Sequence, residues 1–494
     1  MAESTDDIHK RAKKGIRALM IRQGVLQVLT FAGGVILARV LDPADFGLFG
    51  ITTFLVGLLA LFGDCGLAPS LIQRKKELTQ RDLQVGFTLQ QVLVTIVVIA
   101  LWVLAPWLAS FYPKASDVLI WLVRALAFKL YLGTWRSMSA LQLERKLDYN
   151  RLAVVEVVER LSYQIIAVTM AVLGFGIWSL VGAVLARTVL GTVLVYLISP
   201  WKVRLSFDLE IAREILRFGL PYQLQRIVGN AKGWVTPTLV ASLIGPDAVG
   251  FLMWGTGNAR KPMPLFVNVI RVSFPHFSRL QDDQEEIERL LSRYQVYFLA
   301  ITGLWMSILI TAGYDLTLWI YTEKWLPGVP VLMLAGFLLG LNVLSRSTKS
   351  ALSGLGRVSF TTRVTLVTTA LSLGLGVVLV LAVGFIGVVI AHILALLFTL
   401  PWLYTGLRRG ALRRILAPTA WVVVPVLVSI AVGLGMQLIV LPLAVKGLTT
   451  ATVTALVYIG MVWLVGPGWL KEKAVRMLTR SLAKLRRAKE PVLP

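Results

Sequence analysis

Long apolar runs recur along the whole chain, separated by short polar clusters. About 20 consecutive apolar residues suffice to cross a hydrocarbon layer roughly 30 Å thick as a helix. On that measure the pattern predicts about fourteen membrane-spanning helices. The first six lie near 18–40, 46–72, 83–110, 117–141, 152–174 and 176–199. The next six lie near 219–245, 248–275, 292–312, 328–352, 361–383 and 385–405, and the last two near 417–438 and 445–467. The expected fold is therefore an all-α membrane protein. No loop exceeds roughly twenty residues, too short for an independent domain.

The polar clusters orient these spans. Cytoplasmic loops carry an excess of Lys and Arg. With the N-terminus inside, alternate segments hold Lys10 to Arg17, Arg74 to Arg81, Arg145 to Arg151 and Lys202 to Arg217. Later ones hold Arg279 to Arg293, Lys349 to Arg363, Arg408 to Arg414 and Lys471 to Lys489. The opposite segments offer only Arg39, Lys114, Lys324 and Lys446. A miscounted span would scramble this alternation, so both termini are expected in the cytoplasm. Trp102, Trp107, Tyr112, Trp319, Tyr321 and Trp325 fall at the outer interface, where amphipathic rings are favoured. Leu205 to Phe218, and a tail face of Val475, Leu478, Leu482 and Leu485, read as amphipathic anchors to anionic inner-leaflet lipid.

Composition agrees. Of 494 residues, 56% are hydrophobic, with a formal net charge of +24. The mean hydropathy is +0.75. Such a basic chain could bind nucleic acid, but its cations sit in short loops between apolar runs, so no nucleic-acid partner is expected. The single Cys65 excludes an intrachain disulfide and a Cys-based metal site, and the three histidines do not cluster along the chain. No nucleotide signature is present, and no cofactor or metal is expected. Met1 to Arg17 is polar and mixed in charge without a cleavage pattern, so the first span is expected to direct insertion itself.

An internal repeat is visible. Between spans one and two stands Ala38-Arg39-Val40-Leu41-Asp42-Pro43-Ala44-Asp45-Phe46-Gly47; between spans seven and eight stands Ala241-Ser242-Leu243-Ile244-Gly245-Pro246-Asp247-Ala248-Val249-Gly250. The Ala, Pro and Gly pairs align without a gap. Ser139-Ala140-Leu141 and Ser350-Ala351-Leu352 form a second trace. Six plus six related spans follow, with two appended.

Leu37 to Gly47 resembles the first-turn signature of the Wzx-like oligosaccharide flippases, polysaccharide exporters of the MOP (MATE-like) superfamily. Gly63-Asp64-Cys65-Gly66-Leu67 with Ile72-Gln73-Arg74-Lys75, Leu141 to Tyr149, and Leu216 to Pro221 are similar to other span ends of that family. The resemblance covers spans one to twelve. It implies two six-helix lobes that move a polyprenyl-pyrophosphate-linked oligosaccharide or polysaccharide precursor across the bacterial cytoplasmic (inner) membrane by alternating access. The domain reading is a cytoplasmic tail (1–17), an N-lobe (18–199), an amphipathic linker (200–218), a C-lobe (219–405), spans thirteen and fourteen (406–467) and a basic cytoplasmic tail (468–494).

Charges inside the spans give the candidate site. Each costs a few kcal/mol on insertion scales and usually faces a cavity or a partner. Basic residues far outnumber the intramembrane acids Asp64, Glu156 and Glu159. Arg136, Arg271 and Arg346 lie near the inner boundary, where they can reach headgroups. Arg22, Arg124, Lys129, Arg226, Lys232, Arg260 and Lys261 are the candidate substrate-binding set, lining a water-filled cationic cavity between the lobes. Arg offers a planar fork that matches phosphate oxygens, and Lys a compact charge. Pro262 and Pro264 remove amide donors and should break span eight beside Arg260 and Lys261. Asp64, Glu156 and Glu159 are the candidate ion-coupling acids, although Glu156 and Glu159 stand beside Arg160 and are expected to pair with it. Asp315 and the other outer acids are expected in loops.

The expected partners are an anionic lipid-linked glycan, anionic inner-leaflet lipids and other polysaccharide-assembly proteins. No enzyme activity is expected. Three other readings compete: a MATE-type small-molecule exporter, which calls for acidic cavity residues; a membrane glycan polymerase or ligase, which calls for an outer loop bearing acids or His; and a scaffold subunit of a polysaccharide-assembly complex with no transport of its own.

Overall fold

The structure, a computed structural model, describes residues 26–64, 66–73, 78–115, 117–146, 148–280 and 283–472. Among them there are helices and turns and no strand. Among the described residues, nine segments are long and apolar enough to cross a membrane. Arg22, Cys65 and the tail face Val475, Leu478, Leu482 and Leu485 lie outside the described residues. The chain forms two compact units that divide after Met253.

The first unit contains α1 (Leu26–Val40), α2 (Pro43–Asp64), α3 (Leu67–Gln73), α4 (Gln80–Ser110), α5 (Val118–Arg145), α6 (Tyr149–Val172), α7 (Trp178–Ile198), α8 (Leu209–Leu243) and the start of α9 (Pro246–Ala259). Where one span was expected over 46–72, two helices stand, α2 and α3. Between them Gly66 takes a left-handed φ of 67°, and a Cβ there would meet the Gly219 carbonyl oxygen at 2.6 Å, so only glycine fits. Thr79 starts α4 with a capping box: its hydroxyl accepts from the Asp82 amide at 3.2 Å, and the Asp82 carboxylate accepts from the Thr79 amide at 2.8 Å. Asp208 caps α8 and pairs with Arg81 at 2.7 Å.

The expected linker 200–218 is extended only as far as Asp208; from Leu209 it is the first turns of α8. Ile215 and Trp201 are buried in a cluster with Leu67, Leu71, Leu83, Phe87, Met138 and Leu141. Protein thus covers part of the apolar face expected on lipid, while Leu205, Phe207 and Leu209 stay exposed.

The repeated turns meet each other within this unit. A Cβ on Gly47 would fall 1.8 Å from the Pro246 carbonyl oxygen, and one on Gly250 would fall 2.0 Å from the Pro43 carbonyl oxygen. The Pro of each turn therefore seats its main chain on the Gly of the other. The aligned Pro and Gly positions form one reciprocal helix crossing, the close small-residue packing typical of membrane helices.

The second unit contains the end of α9, α10 (Met263–Arg279), α11 (Gln284–Ile320), α12 (Val329–Gly354), α13 (Val358–Val383), α14 (Gly387–Thr405), α15 (Ala411–Leu416), α16 (Val423–Met436) and α17 (Leu443–Val465). Its longest helix, α11, runs 37 residues, well past the expected 292–312. Phe266, Phe298, Leu339 and Val343 form a buried cluster joining α10, α11 and α12. The α16–α17 pair packs on α11 through small and polar residues. Ser429 Oγ donates to Ser307 Oγ at 3.1 Å, Thr311 and Thr454 hydroxyls lie 3.0 Å apart, and the Tyr458 hydroxyl donates to the Ala300 carbonyl at 2.8 Å. Such bonds hold membrane helices where no hydrophobic driving force separates helix from lipid.

Candidate functional site

The break expected in span eight is present. Helix α9 ends at Ala259, residues 260–262 form a turn, and α10 begins at Met263. Pro262 lacks an amide hydrogen and crowds the turn before it, so the ladder cannot continue. Met263 N–H bonds the Arg260 carbonyl at 2.9 Å, so the Ala259 carbonyl takes no such helical bond and instead accepts from Trp305 Nε1 at 3.0 Å. A polar chain buttresses the break: Lys261 Nζ lies 3.3 Å from the Tyr321 hydroxyl, which donates to Asn258 Oδ1 at 2.9 Å. Asn258 Nδ2 in turn donates to the Trp254 carbonyl at 2.9 Å. Burial pushes the Tyr321 phenol up to about 12, so it remains a donor at neutral pH. Trp254 packs edge-on against Tyr321 and stacks on Trp325.

Arg260 and Lys261 are thus held where a spanning helix is interrupted. Arg346 on α12 is close enough to repel Arg260, and Lys349, one turn on, is close enough to feel Arg346. None of Arg260, Arg346 and Lys349 has a carboxylate partner among the described residues. Arg346, expected near the inner boundary, thus lies within Coulombic reach of Arg260.

In the first unit, Lys129 on α5 is repelled by Arg187 on α7, whose guanidinium lies over the Tyr163 ring at 5.9 Å. Neither has a carboxylate partner among the described residues. Arg124 is placed differently: its guanidinium lies over both Trp102 and Trp121, at 5.7 and 5.1 Å, and Nε donates to the Trp102 carbonyl at 3.3 Å. Both tryptophans are exposed, which suits an arginine held at the membrane–water interface. Arg226 and Lys232 lie on α8 and Asp64 at the end of α2.

The acids differ from expectation. Glu159 pairs with Arg136 on α5, Nε to Oε1 3.1 Å, and not with Arg160. Adjacent residues on a helix point about 100° apart, so Glu159 and Arg160 cannot face each other. Glu156 and Arg160 are exposed. Gly191 makes room for Glu159, since a Cβ there would lie 1.9 Å from Oε1. Asp315 is not in a loop; it is buried within α11.

Arg187, Arg346 and Lys349 are the residues that the spacing along the chain did not single out. Arg187 and Arg346 lie far in sequence from Lys129 and Arg260, and only the helix packing relates them; Lys349 follows Arg346 one turn along the same helix.

Residues 36–330 match the family model described as polysaccharide biosynthesis protein. The chain is 26% identical over 265 residues to the succinoglycan biosynthesis transport protein ExoT of Rhizobium meliloti (strain 1021), covering 53% of each. It is 26% identical over 320 residues to the lipopolysaccharide biosynthesis protein WzxC of Escherichia coli (strain K12), covering 60% of this chain and 61% of that one. The match thus spans between half and two thirds of these relatives. Among solved structures, the lipid II flippase MurJ in an inward closed conformation superposes with a TM-score of 0.73 at 14% identity, over 90% of this chain and 98% of that one. At that identity the likeness is one of fold. A family match over more than half the sequence and a shared helical membrane fold establish that the chain belongs to the polysaccharide biosynthesis protein family.

Proposed function

We propose that this protein is a flippase that moves a polyprenyl-pyrophosphate-linked oligosaccharide or polysaccharide precursor across the bacterial cytoplasmic membrane by alternating access. The observation that carries the reading is a set of cations on or beside the apolar helices with no carboxylate partner among the described residues: Arg260, Arg346 and Lys349 (the last on α12 and not in the loop first expected) in one unit, Lys129 and Arg187 in the other. Each such charge costs about 3 kcal/mol on insertion scales, so a cluster needs compensation that the described residues do not supply. A pyrophosphate diester supplies it. Two guanidinium forks and an ammonium group match its clustered oxygens. Arg22, Arg226, Lys232 and Lys261 complete the proposed binding set, with Arg124 nearer the interface.

Fourteen crossings fit this reading. The 48-residue apolar stretch Val358–Thr405 holds two helices, α13 and α14; α1, α6, α8 and the broken α9–α10 add four more to the count. The proposed lobes are 18–199 and 219–405, joined by 200–218 and followed by spans over 406–467, with both termini (1–17 and 468–494) cytoplasmic. Inner-leaflet anionic lipids and other assembly proteins are the proposed partners. The names of the relatives, one a transport protein and another a lipopolysaccharide biosynthesis protein, support a glycan cargo over a small molecule.

The test is glycan export in cells carrying Arg260→Gln, Arg346→Gln and Lys349→Gln together, with membrane insertion verified. Export should fall at least tenfold. Unchanged export would remove the cationic set from the transport path.

A further inference from the structure

The contact between α11 and the α16–α17 pair leaves two polar groups that helix packing does not explain. Helix α11 presents Gly303, Ser307, Thr311 and Asp315 at four-residue spacing, one continuous stripe. The buried face of α17 is Gly447, Thr450, Thr454 and Tyr458. Gln437 Nε2, just past α16, donates to the Thr311 carbonyl and to Asp315 Oδ2, both at 2.7 Å.

Asp315 is 5% exposed, and this neutral amide is its one hydrogen-bond donor; no Lys or Arg pairs with it among the described residues. Thr450 is 0% exposed, and its hydroxyl has no hydrogen-bond partner. On α17, Gly447 lies against Asp315, with 3.3 Å from its would-be Cβ to the Asp315 Cβ, and Thr454 bonds Thr311. Thr450 stands between them on the same buried face of α17. Thr449 and Thr452 on the same helix, and Thr302, Thr311 and Thr317 on α11, each give their hydroxyl to the carbonyl four residues before. Thr450 does not.

We infer that Asp315 and Thr450 form a binding site for a monovalent metal cation, sodium, at the junction of α11, α16 and α17. A hard cation takes oxygen ligands; it would neutralise the buried carboxylate and occupy the unused hydroxyl lone pairs. A single carboxylate matches one positive charge and not a divalent ion. Gln437 positions the carboxylate through its bond to Oδ2. This site is separate from the cationic set of the proposed function and stands or falls independently of it, because it is read by ion binding and not by transport. It also differs from Asp64, Glu156 and Glu159, the acids first expected to handle an ion.

The test uses the full-length protein in detergent, its thermal midpoint followed in sodium chloride and in choline chloride at matched ionic strength. The wild type should gain stability with sodium in a saturable way, and both Asp315→Asn and Thr450→Val should abolish the gain. Thr450→Val is the decisive variant, since it is near-isosteric and breaks no hydrogen bond. In choline it should be at least as stable as the wild type. Thr452→Val, whose hydroxyl bonds its own helix, should keep the sodium response. Radioactive sodium binding to wild type and Thr450→Val gives the same comparison should Asp315→Asn fail to fold. Equal midpoints in sodium and choline, a sodium response that survives Thr450→Val, or a stabilisation that follows acidification without sodium would each overturn the site.

Discussion

The reciprocal crossing of the two repeated turns offers a sharp test of the fold. Gly47→Ala places a methyl group where the Pro246 carbonyl oxygen lies 1.8 Å away, and Gly250→Ala places one 2.0 Å from the Pro43 carbonyl oxygen. Real Cβ atoms stay at least 3.0 Å from such neighbours, so the main chains must part by about 1 Å. Both obstructing atoms are backbone, and no rotamer change relieves them. Overpacking of this kind costs about 1–3 kcal/mol, and the upper end applies where nothing can swing aside. Alanine returns about 1 kcal/mol of helix propensity relative to glycine, leaving a net loss of about 2 kcal/mol. Gly57 on the same helix has nothing within 4 Å of its would-be Cβ, so Gly57→Ala carries the propensity gain alone. Thermal unfolding of the purified protein should rank Gly57→Ala at or above wild type, and Gly47→Ala and Gly250→Ala several degrees below it. The double variant should lose less than the sum, because one separation relieves both contacts. Equal stability of Gly47→Ala and Gly57→Ala would refute the crossing.

Three further outcomes follow from the same packing. Arg136→Ala should cost about 1–3 kcal/mol by stranding the mostly buried Glu159 carboxylate, while Arg136→Leu with Glu159→Leu should recover most of it in a double-mutant cycle. Trp305→Phe removes the donor that satisfies the Ala259 carbonyl at the α9–α10 break, and should lower stability by about 1–2 kcal/mol in thermal unfolding. Tyr321 should ionise at about 12 and not at its ordinary 10, visible as an absorbance difference between wild type and Tyr321→Phe on alkaline titration. Its neutral form is favoured in the folded state, so its contribution is fully present below pH 10 and is lost as pH rises from 10 toward 12; a phenol titrating at its ordinary value would contradict its burial.

Much of the helical frame is legible in the hydrophobic pattern, because a span of apolar residues has few alternatives in lipid. The α9–α10 break follows from Pro262 and Pro264, whose chemistry is local. The repeat at Pro43–Gly47 and Pro246–Gly250 is visible as well, although nothing in either turn indicates that the two touch. What escapes the sequence is side-chain partnership across helices. Glu159 looks paired with its neighbour Arg160, yet helical geometry turns that residue away and Arg136 of α5 fills the place. Arg346 is far from Arg260 in sequence, yet α12 brings it within Coulombic reach of that residue. Asp315 looks like a loop acid near a span end; α11 continues past it and buries it.

The most direct measurement is translocation in proteoliposomes. Purified protein is reconstituted with a labelled polyprenyl-pyrophosphate oligosaccharide confined to one leaflet, and its arrival on the other is followed by access to an impermeant glycosidase. The wild type should carry the glycan across chemically unchanged, and the Arg260, Arg346 and Lys349 glutamine variant should leave it where it began. A glycan that stays put with wild type, that emerges longer or transferred to an acceptor, or that crosses equally well with the three cations neutralised would contradict the account.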